Sequence, residues 1–158
     1  VSSNQFAKNI TVADAVAQSW LTQLSIDGRL WTGLPTPGLG NTQWLSTASG
    51  AWQLPTYNAA MGFGAQFDAF GAPVGAGGSG FFCVHVRLTP LFTGASALDA
   101  SGNGIMRSEV RVFWPRDGVS RLAGDCVNPG AGTVAAVGAA TNLYHFVYHA
   151  STVRQPKI

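Results

Sequence analysis

Few residues in this chain carry the chemistry of a reactive site. The histidines are three, His85, His145 and His149. His145 and His149 stand four apart, a spacing that puts two metal ligands on one face of a helix. The run around them, 143–153, is rich in aromatic and β-branched residues and reads as a strand. On a strand, four residues span roughly 13 Å. One zinc ion with bonds of about 2.1 Å cannot bridge that span, so no metal is expected. Glu109 lies between Arg107 and Arg111. Two flanking cations lower a carboxyl pKa, the wrong direction for a general acid, and a surface charge ladder is the expectation. Asp14, Asp68, Asp99, Asp117 and Asp125 show no paired spacing of the kind a glycosidase uses. Gly78-Ser79-Gly80 is not the G-x-S-x-G turn that exposes a serine nucleophile. The glycines of 62–80 lack both the G-x-G-x-x-G pattern after a strand and the lysine of a phosphate loop. Catalytic residues, metal and cofactor are all expected to be none, and the chain reads as a non-enzyme.

Two further side chains could react with each other. Cys83 and Cys126 are the only cysteines, too few for a zinc site and far apart in sequence. They read as one disulfide formed in an oxidising compartment, the alternative being two buried free thiols in a cytosolic protein.

Composition narrows the partners. The 158 residues suffice for one domain with a real core. Charged residues are only 10% while apolar residues are 46%, which suits a surface partly covered by neighbours, or a secreted protein. The nine basic residues are scattered singly and form no stripe along the chain, so no nucleic-acid partner is expected. No run approaches the 18 apolar residues that a membrane helix needs. A chain that starts at Val1 without Met implies processing, or removal of something upstream.

These residues need elements to position them. Phe6, Ile10, Ala13, Ala17, Trp20 and Leu24 recur in steps of four and three, and predict the core face of a helix over 4–28. Lys8, Thr11, Gln18, Thr22, Ser25 and Arg29 fall opposite. Val12 and Val16 widen the apolar side into a second flank, more than one sheet face needs, and read as an assembly interface. Thr11 and Asp14 have the spacing of a helix cap, although the apolar stripe runs upstream of them. Gly28 is a natural stop. Residues 33–80 form a long αβ loop with four prolines and many glycines. It also holds Trp44, Trp52, Tyr57, Phe63, Phe67 and Phe70, and so should pack on the domain through short strands or turns.

From 81 to 158 the chain reads as antiparallel sheet. Phe82, Val84, Val86 and Leu88 alternate with His85, Arg87 and Thr89; Val110, Val112 and Trp114 alternate with Arg107, Glu109 and Arg111. That pattern predicts one dry face and one wet face. Gly102-Asn103-Gly104 and Asp117-Gly118 supply turn chemistry. The fold class is α+β, a long N-terminal amphipathic helix on an antiparallel sheet, in a single domain over 1–158.

This order of parts resembles a type IV pilin. Ala13-Val-Ala-Gln-Ser-Trp-Leu-Thr-Gln-Leu24 with Asp27 through Trp31 is similar to the early helix of PilV-type minor pilins, and Ser108-Glu-Val-Arg-Val-Phe-Trp-Pro115 is similar to one of their strands. The resemblance implies a minor pilin, or a type II secretion pseudopilin, that builds or primes a filament. It implies other minor pilins, the major pilin and a tip adhesin as partners. Membrane attachment would run through an N-terminal helix already removed, with residence in the bacterial inner membrane and periplasm and then the surface pilus. The alternative is a secreted carbohydrate- or surface-binding module using the aromatics of 33–80. Their packing against the domain competes with that use.

Overall fold

The structure, a computed structural model, describes residues 3–31, 39–76, 78–91, 104–117, 126 and 134–156. Helix α1 runs over Ser3–Gly28, and is followed by single 3-10 turns at Leu39–Asn41 and Leu45–Thr47. Strands β1 (Trp52–Gln53) and β2 (Gln66–Phe67) come next, then β3 (Phe82–Pro90) and β4 (Ile105–Pro115). A short helix α2 (Val134–Ala139) precedes β5 (Tyr144–Arg154). The sheet is antiparallel in the order β1-β3-β4-β5, with β2 also pairing to β3. The α+β class, the helix bounds and the three long strands agree with the sequence reading.

Alternation along β3 and β4 gives the sheet two faces. The inner face carries Phe82, Val84, Val86 and Leu88 of β3 beside Trp114, Val112, Val110 and Ser108 of β4. Helix α1 lies on it and buries Ala13, Ala17, Trp20 and Leu24. Glycine is needed at the last position of α1 for a steric reason: a Cβ on Gly28 would strike the Val153 side chain of β5. Thr11 and Asp14 do not cap the helix. It starts at Ser3, the Thr11 hydroxyl donates to the Ala7 carbonyl at 3.1 Å, and Asp14 turns to the sheet.

The 39–80 stretch packs as its aromatics suggest. Trp44, Phe63 and Phe67 are buried in the main core, with Trp20 4.8–5.0 Å from the rings of Phe63 and Trp44. Asp27 anchors the stretch, its buried carboxylate accepting the backbone N–H groups of Gln43, Trp44 and Leu45 at 2.6–3.0 Å. Phe70 does not join the core and is 83% exposed.

Two expectations about 81–158 need correction. The segment is not all sheet, because Val134–Ala139 is helical. Nor is the second sheet face uniformly wet, because Cys83, Phe113, Cys126, Val137 and Tyr144 form a smaller core there. The turn residues Gly102, Asn103 and Gly118 lie outside the described residues.

Candidate functional site

On the predicted helix face, Ala13, Ala17, Trp20 and Leu24 are buried and Ile10 packs against them partly covered, whereas Phe6 is 39% exposed. Phe6 leans on the sheet edge, 4.7 Å from the His145 ring and 6.5 Å from Trp114. Gln18 and Thr22 face solvent as the periodicity requires. The Val12 and Val16 flank is not open. Val16 is only 1% exposed inside the core, and Val12 packs against its margin. The cover is Gly71, at φ +86°, whose missing Cβ would sit 3.1 Å from Val12. Val16 therefore serves the domain's own core and not an assembly interface, while Val12 keeps part of its surface exposed.

Cys83 and Cys126 form a disulfide, which removes the free-thiol alternative. Beside it lies a strongly perturbed histidine. His85 is fully buried on the outer face; its Nε2 is 3.0 Å from the Cys126 carbonyl, and its Nδ1 accepts from Arg111 Nε at 3.2 Å and Nη2 at 2.9 Å. That pattern needs a neutral imidazole with the proton on Nε2. Burial first, then the Arg111 charge, push its pKa down to about 3, against the pull of the Cys126 carbonyl. Arg111 also donates to the Val134 carbonyl at 2.7 Å, and its guanidinium lies 4.6 Å from the Trp52 ring centroid. Burial lowers its pKa. Helix α2 fits over it at Gly138, where a Cβ would come within 2.6 Å of Nη1. Arg111 is thus a buried cation held by a histidine, a carbonyl and an aromatic ring, and not a rung of a surface ladder.

The ladder exists one row away. Glu109 accepts from Arg87 Nε at 2.9 Å and Nη2 at 2.7 Å, with Arg107 Nε at 3.4 Å. The hydrogen bond from Arg87 holds the Glu109 pKa below the ordinary carboxylate range; the direction is the expected one, but the chief cause is Arg87 on the neighbouring strand and Arg111 takes no part. His145 and His149 lie on β5 and face α1. His149 Nε2 is 2.8 Å from Asp14 Oδ1, and its Nδ1 is 3.4 Å from Gln18 Nε2. His145 borders a shallow groove with Gln5, Phe6, Asn9, Phe81, Trp114 and Arg116, and burial lowers its pKa. Asp14, Asp68 and Glu109 fall in different parts of the structure. The sequence reading did not single out His85, although its place on the polar register of β3 beside Cys83 was visible.

The His85 geometry sets a pH dependence. A histidine whose folded pKa lies below its unfolded value near 6.5 costs stability as pH falls. The loss begins near 6.5 and grows down to about 3. At about pH 4.5 it should reach roughly 2–3 kcal/mol, while Glu109, also depressed, adds its own loss lower still. Thermal melting of wild type and His85→Gln between pH 7 and 4.5 checks this. The variant should lose clearly less of its melting temperature over that range; parallel curves would remove His85 as the cause.

No family model matches the chain, and no curated protein or solved structure matches it either.

Proposed function

We propose that this chain is an assembling subunit of the minor-pilin or pseudopilin kind, working by packing against neighbours and not by catalysis. The observation that supports it is how α1 divides its surface. Ala13 to Leu24 serve the domain's own core, while every residue from Ser3 to Lys8 is exposed, Phe6 included. At the other end Ile26 and Leu30 are exposed beside Met61, along a groove lined by Gln23, Thr42 and Trp44. In a filament, helices would bundle through the first of these regions and heads would meet side by side. Among the described residues no helix is long and apolar enough to cross a membrane; on this reading passage is from inner membrane to periplasm to pilus. The carbohydrate-platform alternative has lost Trp44, Phe63 and Phe67 to the core.

The test is fractionation of the native host. Filaments sheared from the surface should contain the chain in wild-type cells and lack it in cells without prepilin peptidase. The chain accumulating free in the medium of both strains would overturn the assembly reading.

A further inference from the structure

Sheet pairing gathers charges that the sequence scatters. The register puts Arg87, Glu109 and Ala150 in one outer row, Thr89, Arg107 and Thr152 in the next, and Ile105 with Arg154 in the last. Arg111, in the row above, is buried under α2 and does not reach the surface, so among the described residues Arg87, Arg107 and Arg154 share this part of the face with one acidic residue. Glu109 is satisfied chiefly by Arg87, whose two hydrogen bonds at 2.9 and 2.7 Å are shorter than the 3.4 Å contact to Arg107. Arg107 and Arg154 are exposed, and sit diagonally across β4 and β5, an arrangement with roughly 7–8 Å between backbones. Next to them Ala150 and Thr152 are small and exposed, so among the described residues no bulky side chain of β5 stands between the guanidinium groups. Tyr148, 57% exposed, bounds the patch on one side, with Trp52 edge-on to it at 6.0 Å.

We infer that this outer face of β3, β4 and β5 binds an acidic polysaccharide. Guanidinium groups match carboxylates in fork geometry, and beyond the end covered by α2 the exposed pair Arg107 and Arg154 presents positive charge that suits an extended anionic chain. Tyr148 offers a ring for the apolar side of a sugar. A single-stranded nucleic acid fits less well, because it needs several open aromatic faces. Here the Trp52 ring lies under the guanidinium groups of Arg87 and Arg111, at 4.8 and 4.6 Å, and Phe146 stacks on Tyr148. This surface is separate from the exposed α1 residues on which the assembly reading rests, so either can fail alone.

The experiment measures retention of the purified protein on immobilised alginate, on neutral dextran and on single-stranded oligo-dT. Alginate should retain wild type, with retention falling as salt rises, and dextran should not. Arg107→Gln combined with Arg154→Gln should weaken alginate binding roughly tenfold, about what two partly exposed charge contacts supply. Its melting temperature should be unchanged, because both side chains are exposed. Tyr148→Ala should weaken binding as well. Equal retention of wild type and the double variant on alginate would overturn the proposal, as would equal retention on dextran, or tighter binding to oligo-dT than to alginate.

Discussion

Trp20→Ala should destabilise the domain by about 3–5 kcal/mol, enough to unfold much of a domain of ordinary stability. The magnitude follows from where the side chain sits. Trp20 is fully buried between α1 and the 39–80 stretch, 5.0 Å from the Trp44 ring and 4.8 Å from Phe63, which in turn meets Phe67 at 5.5 Å. Its indole N–H donates to the Gly64 carbonyl at 3.0 Å. Truncation therefore opens a cavity beside the Trp44 and Phe63 rings and leaves a buried carbonyl unpaired at the same time. Trp20→Phe separates the two effects: it keeps much of the ring packing, and should cost about 1–3 kcal/mol for the lost hydrogen bond together with the smaller ring. Urea unfolding of the three proteins checks the order. An alanine variant as stable as wild type would mean that Trp20 does not join the helix to the stretch.

The periodicity of α1 made that burial legible, because Trp20 stands in phase with Ala13, Ala17 and Leu24. The same periodicity misplaced Phe6 and Val16 for a common reason. It reports the direction of a side chain from its helix and not the extent of what the helix meets. Phe6 points as expected, and finds only the sheet edge at His145 and Trp114. Val16 points away from the centre of the stripe, and finds the turn at Gly71, which no local pattern places there. Alternation in β3 and β4 was equally reliable for direction, and silent about the cover that α2 and Cys126 put over His85 and Arg111. The basic face needed one thing more. Arg87, Arg107 and Arg154 are separated by up to 67 positions, and only the register of three strands puts them together. What the sequence did display was the cysteine pair.

Removing that pair should produce the other large effect. The bond closes a loop across a separation of 43 residues, and restricting the unfolded chain to that extent is worth about 4 kcal/mol in the chain-entropy account. Cys83→Ser with Cys126→Ser should therefore shift urea unfolding by that order. The slope with urea should rise, because an unfolded chain without the crosslink exposes more surface. Intact mass should confirm the premise, native protein weighing about two daltons less than reduced protein; two free thiols in the native material would sink it. A second contribution lies in the folded state, because the bond holds the Cys126 backbone over His85, whose Nε2 is 3.0 Å from the Cys126 carbonyl. If that cover loosens, water reaches the imidazole, and the burial that pushes its pKa to about 3 weakens. The serine variant should then lose stability less steeply than wild type between pH 6.5 and about 4.5, although it starts lower. A crosslink acting only on the unfolded chain would lower the whole curve and leave that slope alone. The shape of the pH profile therefore distinguishes a tether on the unfolded chain from a cover on the folded one.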